Sequence, residues 1–86
     1  MLYRIFTEDI KENETAIESI INKYYEGFTL IKGEGFWRLQ KENSLIIEIV
    51  TIDNDELITT MAKEIKEANS QEAVLIQRIE NNQWLV

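Results

Sequence analysis

Residues 27–52 read GFTLIKGEGFWRLQKENSLIIEIVTI, and this stretch decides the fold. β-branched and aromatic residues dominate both ends of it, the composition of strands. The polar run Lys41, Glu42, Asn43 and Ser44 has the length of a hairpin connection. The apolar run after it is too short and too β-branched for a helix. A hairpin is therefore expected, with its turn at Lys41–Ser44. Its second arm is apolar on both sides, with Leu45, Ile47 and Ile49 on one and Ile46, Val50 and Ile52 on the other. Strands covered on both faces have this pattern. Gly33, Glu34 and Gly35 interrupt the first arm. A lone G-x-G lacks the further glycine and helix start of a nucleotide-binding fingerprint, so a β-bulge or bend is expected there.

Working outward, Leu2 to Thr7 reads as a first strand, with Tyr3 and Ile5 on one face and Leu2, Arg4 and Phe6 on the other. Asn13 and Glu14 suit a helix start, and Ala16, Ile17, Ile20, Ile21 and Tyr24 form one helical stripe. Gly27 is expected to stop that helix in a left-handed conformation. After the hairpin, Asp53 and Glu56 resemble a capping box ahead of Leu57, Ile58, Met61, Ala62 and Ile65, a second amphipathic helix. The segment EAVLIQRIE (72–80) returns to strand, and Asn81 and Asn82 offer a turn before a short fifth strand at Trp84, Leu85 and Val86.

Composition removes most chemistry. The 86 residues, one domain, contain no cysteine and no histidine. Disulfides, thiolate or imidazole metal sites, Ser-His-Asp triads and imidazole acid-base catalysis are thereby excluded. A calcium loop starting at Asp53 fails at its sixth place, where Ile58 stands in place of the required glycine. No metal and no cofactor are expected. A net charge of −7, with acidic residues dispersed, argues against a nucleic-acid partner. No apolar run approaches the roughly 20 residues of a membrane span, and the N-terminus lacks the pattern of a signal peptide. The expectation is a cytoplasmic protein without a membrane partner.

The order strand, helix, strand, strand, helix, strand gives an α+β, ferredoxin-like two-layer sandwich (βαββαβ), with an antiparallel sheet in the order 4-1-3-2 and both helices on one face. The other face is left bare. On it, Arg4 and Glu48 become cross-strand partners, with Arg38 expected from the second strand and Gln77 from the fourth. Leu2, Phe6, Ile46 and Val50 surround them as an apolar patch suited to an interface between copies, with Trp84 added from the C-terminus. Trp37 reads either as packing or as a stacking surface for a planar ligand.

Gly27-Phe28-Thr29, Gly35 with Trp37, Glu42 with Ser44, and Gln71-Glu72 with Val74-Leu75 resemble a family of small uncharacterised α/β proteins of bacteria and phages. That resemblance implies fold and no assigned activity. By fold, the chain is also similar to oligomeric ferredoxin-like proteins of the signal-transduction and metal-tolerance types, which pack sheet against sheet. Two functions follow as expectations. One is a non-catalytic, self-associating binding module with a small ligand or protein partner at its subunit junctions, of which a phage-type inhibitor is a special case. The other is a small oligomeric enzyme using Glu48 with Arg4 and Arg38.

Overall fold

Alternation along the first strand sets the two faces of the sheet. In a computed structural model, which describes residues 1–52 and 54–80 with the side chain of Trp37 excepted, β1 (Leu2–Glu8) buries Tyr3, Ile5 and Thr7 on one side. One turn of 3-10 helix (Lys11–Asn13) leads into α1 (Glu14–Tyr24), then β2 (Thr29–Trp37), β3 (Gln40–Val50), α2 (Asp55–Ala68) and β4 (Leu75–Ile79). The strands lie in the order β2-β3-β1-β4 with every pairing antiparallel, which is 4-1-3-2 read from the other edge. The fold is ferredoxin-like.

Central in the sheet, β1 and β3 pair Tyr3 with Ile49, Ile5 with Ile47 and Thr7 with Leu45. Against this row the helices lay Ile17 and Ile21 from α1, and Ile58, Met61, Ala62 and Ile65 from α2, all buried. Both helices thus cover one face. Burying such a side chain is worth about 1.5–3 kcal/mol, so this single cluster carries most of the hydrophobic stabilisation. Ala16, expected on the α1 stripe, is exposed instead, because the helix turns it away from the sheet.

Several local expectations are corrected. The hairpin turn is not Lys41–Ser44, which lies within β3, but the two residues Arg38 and Leu39, both with positive φ (51° and 65°). Left-handed residues at both central positions match the twist of paired strands in a two-residue hairpin. No bulge or bend interrupts β2: the pairing runs unbroken from Thr29–Glu48 to Trp37–Gln40, through Gly33–Ser44 and Gly35–Glu42. Helix α1 ends at Tyr24, and no glycine of the chain has positive φ, so Gly27 is not a left-handed cap. β3 stops at Val50, leaving Ile52 outside the sheet and exposed. The capping residue of α2 is Asn54, whose Oδ1 accepts from Leu57 N at 3.1 Å. The expected capping role of Asp53, and the fifth strand at residues 84–86, fall outside the described residues.

Polar pins hold α2 at both ends. Tyr3, though 1% exposed, donates from its hydroxyl to Asp55 Oδ1 (2.7 Å) and accepts from Asn54 N (3.0 Å). At the other end buried Asn69 donates to Thr7 Oγ1 (3.0 Å), Glu8 O (2.9 Å) and Gln71 Oε1 (3.1 Å), and accepts from Asn13 Nδ2 (3.0 Å). Asn13, which precedes α1, makes no side-chain cap to its own helix and is spent on this network. Midway, Glu64 of α2 accepts from both Lys23 and Tyr24 of α1. Among the described residues no helix is long and apolar enough to cross a membrane.

Two outcomes follow for stability. Asn69→Ala strands the buried Thr7 hydroxyl and breaks the half-buried bonds around it, and urea unfolding should show a loss of about 2 kcal/mol with an unchanged m-value. Glu64 is held below its ordinary pKa of 4.5, chiefly by the hydrogen bond from Lys23 and then that from Tyr24. Its contribution is present above that ordinary value and is lost as pH falls through the lower folded value. Glu64→Gln should therefore show a smaller drop in Tm between about pH 6 and about pH 3 than the wild type, measured by thermal unfolding.

Candidate functional site

The sheet face opposite the helices is built in transverse rows, because neighbouring strands place directly paired residues side by side. One row is polar and crosses all four strands: Gln77 of β4, Arg4 of β1, Glu48 of β3 and Thr29 of β2. On one side lies an apolar row of Leu75, Phe6, Ile46 and Ile31. On the other are Ile79, Leu2 and Val50, of which Leu2 is buried. Exposure of 58% at Leu75, 69% at Val50 and 40% at Ile31 shows that much of this apolar surface faces solvent.

At the centre, Arg4 Nε donates to Glu48 Oε2 at 2.7 Å. Their side chains are 40% and 23% exposed, so the pair is partly solvated in the isolated chain and worth under about 1 kcal/mol there. One carboxylate oxygen of Glu48 is engaged by Arg4, and the guanidinium has further donors that Nε does not use. Beside the pair a hollow of about 430 Å³ is lined by Leu2, Arg4, Gly27, Phe28, Thr29, Glu48 and Val50. It combines a cation, an anion and a hydroxyl with apolar residues, among them Phe28, which also packs against the core. Such a set suits a ligand that carries both charges and a flat apolar part.

A second hollow, of about 190 Å³, lies along the sheet toward the hairpin, lined by residues that include Phe6, Glu8, Gly35, Glu42, Ser44 and Gln71. Among the described residues no group of Asp and Glu is arranged to hold a metal ion.

Of the residues singled out from sequence, Arg4, Glu48 and Gln77 come together in one row, and Leu2, Phe6, Ile46 and Val50 flank them. Arg38 does not join them. It sits in the hairpin turn, beyond the end of β2, because the strand continues to Trp37 without a bulge. Trp37 ends β2 opposite Gln40, but its side chain lies outside the described residues, as does Trp84. Phe28 and Thr29 were not foreseen as lining residues. The signal is the pairing of Thr29 with Glu48, four rungs from the Gly33–Ser44 pair, with Phe28 next along the chain, and only the turn location fixes it. Tyr25 lines neither hollow, but its hydroxyl is buried with no hydrogen-bond partner among the described residues, and desolvation pushes its pKa up.

No family model matches this chain, and no curated protein matches it. Among solved structures it is similar to a phage SAM lyase in its apo state, with 22% identity and a TM-score of 0.58 over 87% of this chain and 75% of that one. A DUF3240 family protein from Shewanella baltica aligns over 99% of this chain and 96% of its own, with 13% identity and a TM-score of 0.65. The divalent ion tolerance protein CutA1 from Ehrlichia chaffeensis aligns over 95% and 84%, with 14% identity and a TM-score of 0.56. At these identities the likeness is one of fold, and the ferredoxin-like sandwich is what the chain shares with all three.

Proposed function

We propose that the protein self-associates through its bare sheet face and binds a small zwitterionic ligand with a planar ring in the hollow beside Arg4 and Glu48, at the junction between copies. The observation that carries this reading is the single polar row between two apolar rows that expose Leu75 and Ile31 on one side and Val50 on the other. Monomers rarely leave such an apolar face open. A lone ion pair within it is suited to fixing register between copies and to meeting a ligand's charges. An amino-acid head group complements the pair, its ammonium toward Glu48 and its carboxylate toward Arg4, while Leu2, Phe28 and Val50 supply apolar lining.

S-adenosylmethionine has this chemistry, and the phage SAM lyase that shares the fold makes it the first ligand to test. Cleavage of that ligand is the second reading, favoured by the same likeness and by the partly exposed Glu48 carboxylate. Calorimetric titration and chromatography separate the two. Saturable binding with the ligand intact supports the binding module, and conversion to a nucleoside thioether supports the lyase. In either case Glu48→Gln should weaken binding by roughly tenfold while the circular dichroism spectrum is unchanged. No binding at millimolar ligand would overturn the ligand class.

Self-association is tested apart from the ligand. Sedimentation should find an assembly at micromolar protein, and Val50→Glu should break it, because an unpaired carboxylate would have to be desolvated. A purely monomeric wild type would overturn the reading. Within the assembly, Glu48→Ala should weaken association by on the order of 3 kcal/mol, more than Arg4→Ala combined with Glu48→Ala, since the single change strands a buried guanidinium. A double-mutant cycle with coupling near zero would remove Arg4 and Glu48 from the interface.

A further inference from the structure

Gly33 and Gly35 have no explanation within the described chain. Glycine inside a strand costs stability relative to a residue with a side chain, and it marks a bulge, a bend, or a place where a ligand or another backbone comes close. The first two are absent here. Pairing with β3 is unbroken through both residues, and neither has positive φ. Crowding is absent too. Among the described residues, a Cβ added at Gly33 would meet nothing within 4 Å, and one at Gly35 would meet only ordinary contacts, Ser44 Cβ at 3.9 Å and Glu42 O at 4.0 Å.

Both glycines lie on the bare face, in line with Thr29 and Ile31 and opposite Ser44 and Glu42. They turn the hairpin end of that face into a strip of naked backbone bordering the apolar row of Leu75, Phe6, Ile46 and Ile31. We propose that this strip is where the backbone of a second copy of this chain makes its closest approach, sheet face to sheet face. The inference rests on the self-association proposed above and names the contact that sets its geometry.

Two observations select a second copy as the occupant. The surface to be covered spans four strands with apolar residues on each, more than a small ligand covers. Among the described residues, Arg4 and Glu48 stand side by side at its centre, with Glu8 and Glu42 at its hairpin end, and a central pair carrying one charge of each sign is complementary to itself across a two-fold axis.

Gly35→Val and the double variant Gly33→Ala with Gly35→Ala test this by sedimentation equilibrium, with urea unfolding at a concentration where the monomer dominates. Both variants should fold and be at least as stable as the wild type as monomers, since side chains with better strand propensity enter open space. Both should raise the Kd of self-association, Gly35→Val on the order of tenfold or more, because the new side chain holds the partner's backbone off. If the wild type is monomeric, the self-association reading itself fails. An assembling wild type whose variants assemble with the same Kd leaves that reading standing and overturns this one. Variants that assemble normally but lose S-adenosylmethionine would put a ligand on the strip instead, and variants that fail to fold would contradict the open space above it. Either result overturns the proposal.

Discussion

The pairing of β1 with β3 is the constraint on which the rest depends. Its register sets Ile5 opposite Ile47 with both fully buried, and one residue along sets Arg4 opposite Glu48 on the other face. A strand's side chains alternate with period two, so a slip of one residue would move the ion pair into the core and the isoleucines into water. Burying an unpaired charge costs far more than the pair gains at the surface. The register is thus enforced from the helix side by packing, and the position of the polar row on the other side comes with it.

Much of this was legible because the strongest signals were long-range in consequence yet local in sequence. Alternation in Leu2–Thr7, the two helical stripes and the apolar run 45–50 specify which faces meet, and with right-handed connections they leave one common topology. Local turn chemistry misled. Lys41–Ser44 is polar and of hairpin length, whereas Arg38 and Leu39 carry no turn signature at all. A turn at Lys41–Ser44 would have set Phe36 against Ile49 and Gly35 against Val50. The observed turn sets Ile31 against Ile46 and Leu30 against Ile47 instead. Cross-strand packing of β-branched pairs outweighs the strain of two left-handed residues, on the order of 1 kcal/mol each.

The same displacement explains the candidate site. Moving the turn by four residues lengthens β3, carries Arg38 out to the hairpin tip and brings Thr29 level with Glu48. Phe28 and Gly27 then fall beside the ion pair and close one side of the hollow. Asn13 is a comparable case on the helix side. It has the composition of a cap, but a buried Asn69 within reach offers its side chain a partner in a drier place, where an unmade hydrogen bond costs more.

Charge distribution and shape pull in opposite directions, and their balance bears on how the bare face is used. A net charge of −7 repels a second copy at long range, yet the central row contributes one cation and one anion and is locally neutral. The repulsion is spread over the molecule and is screened beyond about 8–10 Å at physiological ionic strength, whereas apolar contact acts at the face itself and does not weaken with salt. Close approach across that face therefore becomes easier as salt rises. A ligand that inserts its own paired charges at Arg4 and Glu48 adds nothing to the net repulsion. Those two properties favour the proposed self-association around a small zwitterion over a strongly basic partner, for which salt would weaken the encounter.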